Sequence, residues 1–201
     1  MEIYMISNGE TEKWATEYYD RERRVLSPPL SAQGREQAKI LAARLAEWKF
    51  DRIYASDLHR AYDTAAPLAQ AQGQEVILDP AFREIDMGEL NRRPRSEFPV
   101  WEAEFSRRER DIPYPGGETG GDVWKRVERQ LLEIAKRPYE RVAVFCHGGT
   151  IMSAACGAIG LPQQLRFRLG GDVENTSITI LYRGDGWVLH SFNDYAHLRT
   201  P

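Results

Sequence analysis

The sequence predicts an α/β fold: a three-layer sandwich in which a mostly parallel sheet is flanked by helices. Segments patterned as buried strands alternate along the chain with segments whose apolar residues recur at helical spacing. Near the C-terminus, Gly184-Asp185-Gly186 separates two strand-like segments, which is typical of a hairpin and predicts an antiparallel addition to the sheet. Ligands of such sheets bind at the carboxyl ends of the strands. The residues that follow each strand are therefore the candidates for a site.

The first half of the chain is expected to supply three strands and two helices. A short apolar run opens the chain and ends at a turn signal. Ser31 can cap a helix whose apolar residues recur with helical spacing as far as Trp48. Asp57 is expected to cap a second helix that runs to about residue 72. The three strands predicted here comprise residues 3–6, 52–55 and 75–78.

The second half continues the alternation after a middle rich in proline and arginine. Its strongest feature is the apolar run at residues 141–146, which predicts the most continuous strand of the chain, followed by a helix of small residues at 150–159. Two further strands are expected at 176–182 and 187–192, on either side of the hairpin turn. The helix before the main strand is predicted from four apolar positions: Val123, Val127, Leu131 and Ile134.

The composition is that of a globular protein, and together with the net charge it limits the classes of binding partner that we expect. A chain of 201 residues, 42% hydrophobic and 28% charged, predicts one domain over residues 1–201. A net charge of -3 gives no basic field for nucleic acid, so a small molecule is the first expected partner. The longest apolar stretches are shorter than the ~20 residues of a membrane span, and the N-terminus lacks the pattern of a secretory signal. Cys146 and Cys156 are expected to be reduced buried thiols, and the protein to be cytoplasmic and without a membrane partner.

Polar side chains cluster where the predicted strands end. Each of four short segments follows a strand or its connection, and together they bring hydroxyl, amide, carboxyl, guanidinium and imidazole groups to one edge of the sheet. These segments are Ser7-Asn8-Gly9-Glu10-Thr11, Ser56-Asp57-Leu58-His59-Arg60, Arg83-Glu84-Ile85-Asp86 and His147-Gly148-Gly149-Thr150.

The order and spacing of these segments resemble the histidine phosphatase superfamily, in its phosphoglycerate-mutase-like branch. The resemblance covers nearly the whole chain, and agreement at many ordered places is far more specific than any single motif. It implies a phosphoglycerate-mutase-like fold with a lid insertion at about 88–117, and no cofactor. The other matching segments are Pro29-Leu30-Ser31 with Gly34 and Gln37-Ala38, Thr64-Ala65, Gly88-Glu89, Pro115-Gly116-Gly117-Glu118-Thr119, and Asn175-Thr176-Ser177-Ile178.

The chemistry of that family assigns expected roles to several residues. In the family a neutral imidazole at the exit of the first strand attacks phosphorus, and a carboxylic acid protonates the leaving oxygen. Glu84 matches that acid, and His147 matches a second histidine that donates to the phosphoryl oxygens. Arg60 matches a phosphate-binding guanidinium. The other substrate-binding positions implied by the resemblance are Ser7, Gly9, Thr11 and Gly148.

The first segment departs from the family pattern. Ser7-Asn8-Gly9 stands where the family has Arg-His-Gly, so Asn8 occupies the position of the nucleophile. An amide nitrogen cannot attack phosphorus as imidazole does, although its NH₂ can imitate the imidazole N–H that bonds nearby backbone. Ser7 offers a hydroxyl in place of a guanidinium, which predicts phosphate affinity lower by about one to two powers of ten.

Structural explanations compete with these roles. Asn8-Gly9 suits a hairpin turn, although no alternating strand follows it. His147 alone would suit a satisfied core histidine, and Glu84 and Arg60 could simply pair with each other or with neighbours. Cys146 is expected to point away from His147 because adjacent strand residues face opposite sides.

Other side chains carry less information about function. Histidine and cysteine spacing predicts no metal site. Three arginine clusters are each interleaved with acids or prolines and predict solvated faces: Arg21/Arg23/Arg24, Arg92/Arg93/Arg95 and Arg107/Arg108/Arg110. Four aromatic residues of the lid are candidates to line the pocket or to dock the lid: Phe98, Trp101, Phe105 and Tyr114.

Several functions fit this pattern. The protein is either a ligand-binding pseudophosphatase or an enzyme repurposed for acid/base chemistry by Glu84 and His147 in the old phosphate pocket. The alternative is a weakly active phosphomonoester phosphatase or phosphoglycerate mutase homologue, in which water attacks directly, or an engineered inactive variant of one. An anionic small molecule is the expected partner, and a homodimer is left open.

Overall fold

The computed structural model describes residues 1–13, 15–93, 110–170 and 172–199. Most of the predicted lid insertion therefore lies outside the described residues. The same holds for three of the aromatic residues proposed to line it and for three of the clustered arginines: Phe98, Trp101, Phe105, Arg95, Arg107 and Arg108.

A mixed sheet of six strands forms the middle layer, which confirms the predicted α/β fold. The strands of this sheet are β1 (Glu2–Ser7), β4 (Arg52–Ala55), β5 (Val76–Leu78), β6 (Arg141–Cys146), β7 (Ile178–Arg183) and β8 (Trp187–Asp194), and a separate small sheet pairs β2 (Tyr19–Asp20) with β3 (Val25–Leu26). The six strands run in the order β5-β4-β6-β1-β7-β8. The first four are parallel, β7 is antiparallel to β1, and β8 is antiparallel to β7. β1 and β6 end in register, with Ser7 opposite Cys146, so their exit loops begin side by side.

Helices cover both faces of the sheet, because alternate residues of its buried strands point to opposite sides. The α-helices are α1 (Ala32–Leu45), α2 (His59–Gln72), α3 (Gly120–Ala135) and α4 (Gly148–Ala158), and the described 3-10 helices are Thr16–Tyr18, Pro80–Phe82, Gly88–Arg92, Gln163–Arg168 and Ala196–Leu198. Tyr4 and Ile6 join the apolar cluster under α1 and α2, whereas Ile3 and Met5 join the cluster under α3 and α4.

One predicted helix cap is confirmed and the other is wrong. The Ser31 hydroxyl accepts a hydrogen bond from the Gly34 N–H at 3.0 Å and begins α1. α2 begins after Leu58 without any side-chain cap. The Asp57 carboxylate instead accepts two hydrogen bonds from Arg83, at 2.7 and 2.5 Å. The Arg83 guanidinium is itself charged and binds both carboxylate oxygens, so this pairing is favoured over a single bond from an uncharged backbone N–H.

The first helix is shorter than its apolar pattern suggested. α1 ends at Leu45, and Trp48 lies beyond it with its ring edge-on to Tyr4 at 5.3 Å between centroids. Trp48 is therefore a packing residue of the following turn rather than of the helix.

None of the helices in the described ranges is long and apolar enough to cross a membrane.

Candidate anion-binding site

Asn8 bridges the exits of β1 and β6. Its backbone N–H donates to the Cys146 carbonyl at 3.0 Å. Its side-chain Nδ2 donates to the Gly9 carbonyl at 2.9 Å, and its Oδ1 lies 2.9 Å from Nδ1 of His147. The hairpin alternative is wrong, since the sheet neighbours of β1 are β6 and β7 rather than a strand that follows the turn. The amide NH₂ makes the backbone hydrogen bond expected from the sequence.

The loop after Asn8 is held against α1 and α2 by close contacts. The Gly9 N–H donates to the Thr64 hydroxyl at 3.0 Å, and that hydroxyl donates to the Arg60 carbonyl at 2.6 Å. A Cβ on Gly9 would lie 2.6 Å from the Gly34 carbonyl oxygen, so glycine is required where the loop crosses the start of α1. Beyond Gly9, Thr11 forms an isolated antiparallel bridge with Leu30. The loop therefore has one closely determined path.

Arg60 is a buried cation in the first turn of α2. Its side chain is 6% exposed, and its Nη1 donates to the Leu26 carbonyl at 3.2 Å. Within the described ranges, no carboxylate lies within 4.0 Å of its guanidinium nitrogens. Burial lowers the pKa of Arg60 to about 10, and the charge of Glu84 partly opposes that shift. A buried guanidinium without a carboxylate partner is suited to bind an anion.

Glu84 lies at the N-terminus of α4, on the loop that follows β5. Its Oε2 accepts from the Gly149 N–H at 3.2 Å, and its Oε1 accepts from the Thr150 N–H at 3.1 Å. A helix N-terminus favours a carboxylate because its first N–H groups lack partners within the helix. A Cβ on Gly149 would lie 2.6 Å from Glu84 Oε1, so glycine makes room for the carboxylate. Glu84 is thus bound by backbone rather than paired with Arg60.

His147 is the residue that connects β6 to α4. It is 1% exposed, and its Nε2 is buried and makes no hydrogen bond to the described residues. Burial lowers the pKa of His147 well below its usual range, and the charges of Arg60 and Arg126 lower it further. The ring is therefore neutral near pH 7. A satisfied core histidine would use both ring nitrogens, whereas this one uses only Nδ1.

Comparison with known proteins identifies the family of the chain. A family model described as histidine phosphatase superfamily (branch 1) matches residues 3–195. The chain belongs to the histidine phosphatase superfamily. It is 31% identical to a probable phosphoglycerate mutase of Enterobacter sp. (strain 638), over all of this chain and 96% of that protein.

Solved structures of the superfamily match nearly the whole chain. A mycobacterial glucosyl-3-phosphoglycerate phosphatase in complex with inorganic phosphate superposes with a TM-score of 0.83, at 27% identity over 98% of this chain and 99% of that one. A phosphoserine phosphatase of Entamoeba histolytica in complex with 3-phosphoglyceric acid gives 0.80, at 26% identity and the same coverage. A mutant of a phosphoserine phosphatase of that organism, with one histidine changed to alanine and in complex with phosphoserine, gives 0.80 at 27% identity and the same coverage.

Arg126 is a positioning residue that the sequence analysis missed. From α3 it donates to both oxygens of Glu118 and to three backbone carbonyls in the loop that leads to Glu84. That loop is thereby fixed to α3, and the positive charge of Arg126 also acts on His147. The available sequence signal is a cation next to the buried positions Val123 and Val127 of an amphipathic helix. The sequence gives no indication of the carbonyls it binds.

Two further groups support the same loop. The Thr150 hydroxyl donates to the Arg83 carbonyl at 2.7 Å, which ties α4 to the residue before Glu84. Asp57 binds Arg83 and lies 3.4 Å from Nε of Arg23. These arginines lower the pKa of Asp57, although burial opposes them. Thr150 and Asp57 therefore both hold Arg83, the residue before Glu84, in place.

Cys146 faces away from the site, as its place in the strand predicted. It is fully buried in the apolar cluster under α3 and α4, and burial raises the pKa of its thiol. It is therefore a core residue and not a nucleophile. Across the described ranges, no three His, Cys, Asp or Glu side chains come together as a metal ion would require.

An open cleft of about 560 Å³ lies beside the Glu84 loop. Arg92 stacks on the Tyr19 ring at 5.3 Å and donates to its hydroxyl at 3.0 Å. Three residues of the predicted arginine clusters thus share a mixed-charge surface that also contains carboxylates. The lining residues are Tyr19, Arg24, Asp86, Gly88, Glu89, Arg92, Arg93 and Gly116.

Proposed function

We propose that this protein binds a phosphomonoester or a similar small oxyanion between Arg60, His147 and the Gly9 loop, and that it does not act through a phosphohistidine at position 8. The observation that carries the proposal is the buried guanidinium of Arg60, which has no carboxylate partner among the described residues. An uncompensated buried cation is costly, and a bound oxyanion removes that cost. The protein is then a divergent, ligand-binding member of its superfamily.

The chemistry of residue 8 supports the second half of the proposal. The amide nitrogen of Asn8 shares its lone pair with the carbonyl, and its NH₂ is already bound to the Gly9 carbonyl. No histidine lies in the loop from residue 7 to residue 13. Ser7 is 4% exposed and supplies a hydroxyl without a charge. Weak anion binding without phosphoryl transfer follows from these three facts.

Relatives support the class of ligand. The solved neighbours include complexes with inorganic phosphate and with 3-phosphoglyceric acid. The mutant phosphoserine phosphatase has lost one histidine and is nevertheless in complex with phosphoserine. Loss of a histidine therefore does not prevent a protein of this fold from holding a phosphate ester.

Calorimetric titration with inorganic phosphate tests the binding half. We expect a dissociation constant in the millimolar range, as an order of magnitude, because one of the two expected arginines is absent. Arg60→Met should weaken binding at least about 10-fold, whereas Arg129→Met, on the exposed face of α3, should not change it. Equal affinity in the Arg60 variant, or submicromolar binding by the wild type, would contradict the proposed site.

Intact-mass measurement tests the other half. After incubation with excess phosphomonoester, the protein should carry no added phosphoryl mass. A stoichiometric, acid-labile adduct would overturn the proposal. Slow hydrolysis without an adduct would favour the alternative in which water attacks phosphorus directly.

Acid/base catalysis is the second candidate function. It is favoured by the position of the Glu84 carboxylate, which binds the N–H groups of Gly149 and Thr150 in the helical turn that begins just after His147. An acid and a neutral imidazole then flank one bound ligand. In a screen that finds a substrate, Glu84→Gln and His147→Ala should each reduce turnover by about 10²-fold or more. Near-wild-type rates in both would exclude this function.

A homodimer remains a prediction that sedimentation of the purified chain would test.

A further inference from the structure

The orientation of the Asn8 amide follows from its neighbour. The Gly9 carbonyl lies 2.9 Å from one terminal atom of the side chain and can only accept a hydrogen bond. The atom facing it must therefore be the NH₂ group. The other terminal atom, the oxygen Oδ1, consequently faces Nδ1 of His147 at 2.9 Å.

This orientation determines which nitrogen of His147 carries the proton. Oδ1 of Asn8 has no hydrogen, so Nδ1 of His147 must be the donor in their bond. A neutral imidazole has one N–H, and it is then at Nδ1. Nε2 is left with a lone pair, and it is the buried atom without a partner among the described residues.

The charged groups around the ring keep it in this neutral form. Arg60 on α2 and Arg126 on α3 both oppose protonation, as does burial of the ring. The carboxylate of Glu84 is turned to the backbone of α4, and Asn8 on the β1 side is uncharged. Among the described residues, no group donates a hydrogen bond to Nε2 of His147.

We propose that Asn8 is a positioning residue that makes Nε2 of His147 a hydrogen-bond acceptor, so that the site prefers an oxyanion carrying its own hydrogen over a fully deprotonated one. The proposal rests on the proposed function of this site and deepens it by naming the form of the ligand. Hydrogen phosphate and the monoanion of a phosphomonoester belong to the preferred class, and sulfate does not. The superfamily resemblance implied the opposite role, a histidine that donates to phosphoryl oxygens.

The physical reason is that Nε2 can only accept a hydrogen bond, so the ligand must be the donor. A P–O–H group can donate to the lone pair on Nε2, whereas a bare anionic oxygen there meets a second lone pair and forms no bond. A site built to accept a hydrogen from its ligand rejects an analogue that lacks it, because the acceptor is left buried and unpaired. Arg60 supplies the attraction for charge that both anions share.

Nitrogen NMR of the ligand-free protein tests the tautomer directly. In protein labelled with ¹⁵N at histidine, His147 should show a protonated Nδ1 and an unprotonated Nε2 at neutral pH, in buffer without phosphate or sulfate. Nε2 should remain unprotonated as the pH is lowered below 6.5, the usual value for histidine, because burial and the two arginines lower the pKa of His147. A proton on Nε2 at neutral pH would overturn the inference, whatever the protein binds.

A comparison of phosphate with sulfate tests the preference. At about pH 8 the two anions have the same charge and nearly the same shape, and differ by one hydrogen. We expect phosphate to bind at least about 10-fold more tightly than sulfate. Equal affinities would overturn the inference and leave the anion site itself intact. Binding of neither anion would contradict the proposed function, and the tautomer would still be decided by NMR.

Asn8→Asp provides the matched variant. A carboxylate at this position still accepts from Nδ1 and opposes the two arginines, so it raises the pKa of His147 and allows Nε2 to carry a proton. The added negative charge weakens the binding of both anions, so the informative quantity is the ratio of the sulfate dissociation constant to the phosphate dissociation constant. That ratio should fall at least about 3-fold toward one. An unchanged ratio in a folded variant with a protonated Nε2 would overturn the inference, and if the variant does not fold, the two wild-type experiments decide.

Discussion

The exit loops of β1 and β6 meet where Asn8 contacts Cys146 and His147, yet different kinds of groups hold each loop in place. At Asn8 and Gly9 the β1 loop is held by neutral groups: the Asn8 amide, the Gly9 N–H and the Thr64 hydroxyl. The β6 loop is held by charged ones, since the Glu84 carboxylate binds α4 and Arg126 fixes the loop that carries Glu84. The difference teaches that the framework of a site and its reactive atoms can change separately. An amide at position 8 keeps a place in the network without the reactivity of imidazole.

Converting the β1 loop to the family pattern should have the largest effect. In Ser7→Arg with Asn8→His, hydrolysis of an activated aryl phosphate should rise by about 10³-fold over wild type, because nucleophile, two arginines, acid and second histidine then act as a unit. Steady-state assays of product release measure it. Each single variant serves as a control and should change the rate little. A double variant that folds and stays inactive would mean that the two loops differ by more than these two side chains.

Removing the guanidinium of Arg126, which ties the Glu84 loop to α3, should cause the largest loss of stability. Arg126→Met removes a charged donor from the Glu118 carboxylate and from three backbone carbonyls, so the free energy of unfolding should fall by about 2–4 kcal/mol. Urea unfolding measures the change. Arg129→Met on the same helix is exposed and is the matched control, with an expected change within about 0.5 kcal/mol. Similar losses of stability in both variants would show that α3 is sensitive to any such substitution, and that the contacts of Arg126 are not the cause.

The close packing of Glu84 against α4 predicts a smaller loss of stability when Gly149 is substituted. Gly149→Ala would bring a Cβ to 2.6 Å from Glu84 Oε1 and 3.0 Å from Ile85, so we expect a cost of about 1–3 kcal/mol. Gly148→Ala is the control, because its Cβ would have its nearest contact at an ordinary 3.5 Å. Chemical denaturation of both variants gives the comparison. Equal stability would mean that the carboxylate moves away at little cost.

Acid should weaken the contact between the two loops. The folded pKa of His147 lies below that of the unfolded chain, near 6.5, so below this pH the unfolded state binds a proton that the folded state refuses. Stability should therefore fall as the pH is lowered below 6.5, by up to about 1.4 kcal/mol per pH unit for this residue. Urea unfolding at several pH values, without phosphate or sulfate, measures the slope.

The contribution of His147 can be separated from that of His197, whose pKa is also lowered by burial. His147→Gln should reduce the slope over this range, and His197→Asn should leave the share due to His147 in place. Carboxylates with lowered pKa, such as Asp57, lose their contribution only at more acid pH, because their usual value is 3.8. An unchanged slope in His147→Gln would contradict the burial of a neutral ring between the two loops.

Local interactions were predicted from the sequence more successfully than distant ones. Ser31 caps α1 as predicted, because its partner is three residues away and the cap needs only the start of the helix. Asp57 was predicted to do the same for α2 and does not, because Arg83, 26 residues away in sequence, takes its carboxylate. Arg126 was missed for the same reason, since the carbonyls it binds lie more than 40 residues earlier.

The sequence by itself determined the order of the six strands of the main sheet and of the four described α-helices, the superfamily, and the absence of imidazole and guanidinium from positions 8 and 7. Periodicity and ordered motifs carry this information because they depend on the identity and spacing of residues along the chain. Only the tertiary structure decided that Asn8 lies against His147, that Arg60 is buried without a carboxylate partner among the described residues, and that Glu84 binds the N-terminus of α4. The Asn8–His147 and Glu84–Thr150 contacts join residues that are 139 and 66 positions apart in sequence. Their geometry follows from the register of β1 with β6 and from the packing of the helices on the sheet.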